Sequence, residues 1–222
     1  MGGKIRDKFI KLYTMLTGYF NYHSINEENY ACMAMQHDNA FDAFKELLQE
    51  VRPSQILEVG TAGGGTTLFL REYLNEIGLN DTRILSLDVV EQEWTNGLRE
   101  RDITVDTDNV FDYSTNTLIR PDDIVPFIQR EGTTIVLCDG GNKISEFITL
   151  SPYLKIGDII MAHDYVDTVE NFHENFVDKI WNWREIGDEH ITEAVIQNNL
   201  EPFMQNLFTN VVWVCKVKRQ NG

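Results

Sequence analysis

The residues able to do chemistry fall at a few short places where an apolar run gives way to polar or glycine-rich sequence. The first is Glu58-Val59-Gly60-Thr61-Ala62-Gly63-Gly64-Gly65-Thr66-Thr67. Glycines there let the backbone approach a ligand, and a helix starting just after them points free amides at it. The spacing is not the GxGxxG of a dinucleotide loop. Counted from Gly63 the third glycine position is Leu68, and counted from Gly60 the second is Ala62. Glu58 would add negative charge beside a pyrophosphate, so the loop suits a cationic or neutral ligand better. Asp88 ends a second run, where a carboxylate can accept both hydroxyls of a ribose. Asp112, in Val110-Phe111-Asp112-Tyr113, is placed to meet the amine of an adenine, with Asp106 and Asp108 as competitors. Asp139, and the pair His163-Asp164, end two later runs. Two carboxylates and an imidazole can hold a divalent cation, with Mg²⁺ favoured where oxygen ligands and water dominate. Each place also has a plainer reading: a tight turn, a helix cap, a packed histidine.

Short apolar runs, each ending at one of these residues, are the elements that must hold them. Ile56–Val59, Ile84–Leu87, a weaker stretch over Ile103–Phe111, Thr134–Cys138 and Ile159–Ala162 read as strands. Helical patterns lie between them at Thr67–Ile77, Asp122–Arg130 and Ser145–Leu154. Strands alternating with helices of this length imply right-handed crossovers and a parallel sheet covered on both faces. In such a sheet ligands bind beyond the carboxyl ends of the strands, which is where the polar residues are. A long helical insertion over Phe172–Ile186 precedes a sixth strand around Ile191–Ile196 and a seventh at Val211–Val217. Upstream, Phe9, Leu12, Tyr13, Leu16 and Phe20 fall at helical spacing, as do Phe41, Phe44, Leu47 and Leu48; Tyr19–Tyr30 reads as irregular. The expected organisation is a helical segment over 1–50 capping a doubly wound α/β domain over 51–222, compact as one unit.

Taken together, Glu58-x-Gly60-x-x-x-Gly64-x-Thr66, Asp88, Asp139 and the segment Pro152-Tyr153-Leu154-Lys155-x-Gly157-Asp158-x-Ile160-x-x-His163-Asp164-Tyr165 resemble a class I S-adenosylmethionine-dependent methyltransferase. More narrowly, the chain is similar to small-molecule O-methyltransferases of the catechol and macrolide-sugar type and to cephalosporin-hydroxylase-like proteins. The resemblance covers about half the chain, from Ile56 to Tyr165. It implies a Rossmann-like, seven-stranded, mostly parallel sheet with an antiparallel last strand. It further implies that Glu58, Gly60, Thr61, Gly64 and Thr66 shape the pocket for the methionine part of S-adenosylmethionine. On the same basis Asp88 binds the ribose, Asp112 lies near the adenine, and Asp139 borders the cofactor. Asp139, His163 and Asp164 fall where metal-dependent members place their ligands. Two departures accompany this: His163 stands at a position more often acidic or Asn, and Gly141 stands where the sugar enzymes carry a second catalytic Asp. Lys143 lies one residue beyond the lysine of the catechol enzymes. Asp139, Lys143 and His163 are thus the catalytic candidates, with Lys143 or His163 as the proton acceptor.

Composition limits the partners. With 19 Lys+Arg against 35 Asp+Glu the formal charge is −16, which disfavours nucleic acid and anionic membrane surfaces. The N-terminus lacks the pattern of a signal peptide, no apolar run is long enough to span a bilayer, and the 3 cysteines are isolated. A cytoplasmic enzyme with a small-molecule acceptor is the expectation, with a homodimer through the N-terminal helices compatible. A non-catalytic binder of the same cofactor is the alternative. Acceptor recognition falls to the aromatics outside the core. Phe172, Phe176, Ile180 and Trp183 share a helical stripe and read as core, whereas Trp181 lies off that stripe and reads as facing a pocket or a partner.

Overall fold

The computed structural model describes residues 21–24, 31–37, 39–92 and 95–220. The first elements are an antiparallel hairpin, β1 (Asn21–Ser24) and β2 (Ala31–Ala34), followed by α1 (Ala40–Val51). Its second half therefore departs from an all-helical N-terminal segment, and part of the stretch read as irregular is strand. The pattern from Phe9 to Phe20 lies outside the described residues. The helix over Phe41–Leu48 is present as expected: Phe44, Leu47 and Leu48 are buried, against α2 (Gly65–Glu76) and α8 (Gln205–Thr209).

The main sheet has seven strands. In chain order these are β3 (Gln55–Val59), β4 (Arg83–Leu87), β5 (Ile103–Asp106), β8 (Thr134–Cys138), β9 (Ile159–Ala162), β10 (Leu200–Pro202) and β11 (Val214–Lys218). Their spatial order is β10-β11-β9-β8-β3-β4-β5, with every pair parallel except the two made by β11. Adjacent residues on each strand go to opposite layers, as the two-residue period requires. Ile56, Ile84, Ile135 and Ile159 join the core under α1, α2 and α8. Leu57, Leu85, Val136 and Ile160 join the other, under α4 (Pro121–Ile128), α5 (Lys143–Leu150) and α7 (Asp188–Gln197), and a short α3 (Thr95–Arg99) lies between β4 and β5. Strands buried on both faces explain why these runs are apolar throughout rather than alternating.

Three sequence expectations are corrected here. The weak third strand stops at Asp106; Phe111–Asp112 (β6) instead pairs with Thr117–Leu118 (β7) in a separate two-stranded ribbon. Ile191–Ile196 is not a strand but lies within α7. Its β-branched residues suggested a strand, yet Ile191 and Ala194 are buried at helical spacing while Ile196 is 69% exposed. Asp188 and Glu189 in the first turn favour the helix dipole, and the sixth strand begins only at Leu200. The insertion is helical only through α6 (Val169–Asn171) and the π turn that continues it to Phe176. Beyond that turn it is irregular up to Gly187. Cys138 and Cys215 are buried free thiols.

Candidate active site

The chain leaves β3 toward β4 on one side of the sheet, while β8 pairs on the other, so the switch in strand order falls between β3 and β8. Gly60 follows β3 and Asp139 follows β8 at that point. Gly60 has φ +97°, and a Cβ there would meet the Asp139 carbonyl oxygen at 2.2 Å. Only glycine allows the two strand ends to come so close. The Gly60 N–H donates to Leu87 O at 2.8 Å and the Asp139 N–H to Val59 O at 2.9 Å, which continues the sheet into both loops.

Glu58 sits beneath the glycine loop rather than in it. It is 2% exposed, and its Oε2 accepts from Thr67 Oγ1 and Ser86 Oγ, each at 2.5 Å. Ser86 Oγ also shares a hydrogen bond of 2.6 Å with Thr61 Oγ1. Burial pushes the Glu58 carboxyl up to about 7, against the opposing effect of the two hydroxyls. It lines neither of the cavities described next. Its part is to tie the loop and α2 to the neighbouring strand.

Two cavities open above the strand ends. The larger, about 500 Å³, is walled by Thr61, Thr66, Lys143, Asp164, Trp183 and Glu185 among others. The smaller, about 320 Å³, is bounded by Asp88, Val89, Asn109, Phe111 and Tyr113. Gly60, Ala62, Asp139 and Gly140 line both. In the smaller cavity Phe111 and Tyr113 stack with centroids 5.6 Å apart, giving a flat apolar wall. Tyr113 Oη donates to Glu146 Oε1 at 3.0 Å, and Glu146 also accepts from the Gly140 and Asn142 amides, each at 3.0 Å. This buried carboxylate shapes the Asp139–Asn142 turn.

Asp88 lines the smaller cavity, but three amides already use it. Oδ1 accepts from Val89 N and Val90 N, and Oδ2 from Ala62 N at 2.7 Å. Of the roughly four lone-pair sites on a carboxylate, one on Oδ2 is left for a ligand. That is room for a single hydroxyl rather than for both. Asp112 faces away: its Oδ1 accepts from Ser114 N and Oγ, and Asp108 and Asn109 stand in the cavity instead.

Asp139, His163 and Asp164 converge as the sequence suggested, offering ligand atoms within 4.8 Å of one another. His163 Nδ1 is 3.1 Å from Asp139 Oδ1 and 3.6 Å from Asp164 Oδ1. Its ring packs between Trp213 and Trp181, with centroids at 4.9 and 5.3 Å. Burial alone would lower the His163 pKa, but Asp164 and Asp139 together carry it above the ordinary value. Asp164 has φ +56°, a conformation that Asp tolerates better than most residues. Lys143 Nζ lies 2.9 Å from Glu185 Oε2, 3.2 Å from Asp164 Oδ2 and 3.7 Å from Asp139 Oδ1. Burial opposes its charge, yet Asp139, Asp164 and Glu185 hold its pKa above the usual lysine range. A lysine so held is a cation, which suits charge balance and not proton abstraction.

A family model described as Rhamnosyl O-methyltransferase/CmcI matches residues 24–205, most of the chain. The chain belongs to that family. Its fold is that of a CmcI apo structure, at TM-score 0.60 and 14% identity over 85% of this chain and 74% of that one. CmcI with SAH aligns at TM-score 0.55 and 14% identity, over 89% and 88% of the two chains. CmcI with Mg and SAM aligns at 0.54 and 16%, over 83% and 74%. No curated protein matches the chain in sequence. Membership makes the chain an S-adenosylmethionine-dependent O-methyltransferase, in line with the resemblance seen in the sequence. Among the described residues no helix is long and apolar enough to cross a membrane.

Three residues that wall the larger cavity, Gln36, Glu185 and Trp183, were not legible as such in the sequence. Gln36 and Glu185 lie in segments without motif or periodicity. Trp181 and Trp183 exchange the roles expected of them: Trp181 is fully buried and donates to Asp164, whereas Trp183 walls the larger cavity.

Proposed function

We propose that this protein transfers the methyl group of S-adenosylmethionine to a hydroxyl of a small polar or sugar-like acceptor, with a divalent cation, Mg²⁺, at Asp139, His163 and Asp164. The observation that carries this reading is the position of Asp139, the acidic residue that borders both cavities. Ligands held in the two cavities would meet beside its carboxylate. The smaller cavity fits an adenosine: a flat ring against Phe111 and Tyr113, and one ribose hydroxyl donating to the open lone pair of Asp88 Oδ2. The methionine part follows the Gly60–Thr66 loop, and the anionic surroundings favour a sulfonium. CmcI has been seen with Mg and SAM, which supports both ligands for a relative of the same fold.

In the reaction the acceptor oxygen bonds to the methyl carbon as the carbon–sulfur bond breaks. The sulfur leaves neutral and the hydroxyl proton departs, so alignment along one line is the chief demand. A bound divalent cation supplies positive charge that lowers the pKa of a nearby hydroxyl. Asp139, His163 and Asp164 would hold one: two carboxylates and an imidazole whose ligand atoms lie within 4.8 Å of one another. Lys143 balances the charge of Asp164 and Glu185 and stays protonated. His163 turns Nδ1 toward Asp139 and Asp164, where it would serve the cation, and has Nε2 sealed among buried atoms without a partner. Neither is free to take up a proton as it stands. Glu185 is better placed for that step, since it lines the cavity, is 49% exposed, and has only Oε2 engaged by Lys143.

Calorimetric titration with S-adenosylhomocysteine tests the cofactor half. Wild-type protein is expected to bind it, and Asp88→Asn to bind about 10–100-fold more weakly, the cost of losing a hydrogen bond to a charged group. Methyl transfer to a panel of sugars and catechols is expected to stop in EDTA and return with Mg²⁺. A wild-type protein that binds no S-adenosylhomocysteine overturns the reading.

A further inference from the structure

Gln36 lies between the N-terminal hairpin and α1, outside every motif considered above, yet it is 1% exposed and reaches the centre of the site. Its Nε2 donates to Asp139 Oδ2 at 3.0 Å, and its Oε1 accepts from Trp213 Nε1 at 2.8 Å. An indole N–H can only donate, so the amide oxygen must face Trp213 and the NH₂ must face Asp139. The orientation of the Gln36 amide is therefore fixed by chemistry. Trp213 is itself immobile, fully buried just before β11 and edge-on to Phe44 of α1 with centroids 5.3 Å apart.

A second arm runs parallel to this one. Trp181 Nε1 donates directly to Asp164 Oδ1 at 2.6 Å. Each carboxylate is thus tied to an indole: Asp164 accepts the Trp181 N–H directly, and Asp139 accepts from the Gln36 amide, whose oxygen accepts the Trp213 N–H, while the His163 ring packs against both indoles. Gln36 holds Oδ2 of Asp139, which leaves Oδ1 turned toward His163 Nδ1. Without that donor Asp139 is held through Oδ1 alone, by His163 and Lys143, and its half-buried Oδ2 loses its partner.

We propose that Gln36, anchored by Trp213, is a positioning residue that sets the rotation of Asp139 for cation binding. This rests on the proposed cation site at Asp139, His163 and Asp164. It also gives the segment before α1 a role in the catalytic centre: Ala34 and Met35, which wall the larger cavity, are continuous with the residue that aims Asp139.

The test is calorimetric titration of Mn²⁺ into protein saturated with S-adenosylhomocysteine, for wild type, Asp139→Asn, Gln36→Met, Trp213→Phe and the Gln36→Met/Trp213→Phe pair. Loss of a partner behind a metal ligand typically weakens metal binding about 10–100-fold, and Gln36→Met is expected in that range. S-adenosylhomocysteine affinity should stay within about twofold, because Gln36 acts on the cation side alone. Trp213→Phe keeps a ring against His163 and removes the indole N–H that anchors the amide, so the pair should bind Mn²⁺ no more weakly than Gln36→Met does. If Gln36→Met does not fold, a weakening in Trp213→Phe with unchanged cofactor affinity stands in for it. Wild-type Mn²⁺ affinity in Gln36→Met, or in the stand-in, together with loss in Asp139→Asn, overturns the role of Gln36 and leaves the cation site standing. Additive losses in the pair also overturn it. No Mn²⁺ binding by wild type, or none lost in Asp139→Asn, overturns the cation site and the inference with it.

Discussion

The two cavities meeting at Asp139 are built in different ways. The smaller is made by consecutive strand ends: the loop after β3, Asp88 after β4, and the Asp108–Phe111 stretch after β5. Its walls are mostly backbone and apolar side chains, and the carboxylate after β4, Asp88, is used mostly to hold amides. The larger draws on residues distant in sequence: Gln36, Asp139, Lys143, His163, Asp164 and Glu185. There buried charges are tied to one another and to two indoles. A site made from strand ends follows once the sheet forms. A site made from converging charges depends on every member, since each buried charge is costly when a partner is lost. The first is expected to respond to substitution locally, and the second as a unit.

The largest effect should separate the two. Asp164→Asn keeps the left-handed backbone, which Asn tolerates, and keeps an oxygen for Trp181 Nε1. It removes one charge from the cation site. A fall in kcat of about a thousandfold, about 4 kcal/mol, is expected, with S-adenosylhomocysteine affinity within about threefold. Steady-state rates and calorimetry check both halves. An equal loss in cofactor affinity would break the comparison, because the cavities would then not be separable.

Next comes Glu58, the buried acid beneath the glycine loop. Its carboxyl rises from 4.5 to about 7 on folding, so the folded state binds a proton that the unfolded state has released. The stability this contributes is complete below pH 4.5 and is lost as pH rises through about 7. A shift of that size corresponds to roughly 3 kcal/mol, on the order of 10 °C in Tm for a domain of this length. Glu58→Gln should flatten that part of the Tm profile, since the Thr67 and Ser86 hydroxyls can rotate to suit an amide. Thermal melts from pH 4 to 9 make the measurement. Parallel profiles for the two proteins would mean that Glu58 is ionised throughout and that the loop is held by a charge.

The same contrast explains what could be read from the sequence. The strands Ile56–Val59, Ile84–Leu87, Thr134–Cys138 and Ile159–Ala162 were legible because a strand buried on both faces must be apolar at every position. The residues at their ends were legible because topology places them there. The convergence of Asp139, His163 and Asp164 was legible in this way, from neighbouring strand ends. Asp112 does not line the smaller cavity, because β5 ends at Asp106 and Asp112 belongs to the ribbon of β6 and β7. The helix over Ile191–Ile196 was missed because β-branched composition outweighed the spacing of Ile191 and Ala194. Gln36 carried no signal at all: its meaning lies in Trp213, far away in sequence and brought close only by the antiparallel return of β11. Trp181 and Trp183 were exchanged because the helix assumed for them ends at Phe176, and beyond it a periodic stripe has no physical basis.

The smallest expected effect concerns the wall of the larger cavity, at Trp183. Its ring lies edge-on to Trp181, with centroids 5.6 Å apart, and forms part of the cavity lining without touching the carboxylates through any hydrogen bond. Truncation should remove contact area for an acceptor while leaving Trp181 in its bond to Asp164. Trp183→Ala is expected to raise the acceptor KM about fivefold, about 1 kcal/mol, with kcat and S-adenosylhomocysteine affinity little changed. Such a split would place Trp183 in uniform binding, apart from the coupled charges behind it. A fall in kcat of about a hundredfold or more would instead mean that the wall and the charged centre move together. The indole pair would then transmit acceptor binding to Asp164, and the larger cavity would be a single unit from mouth to floor.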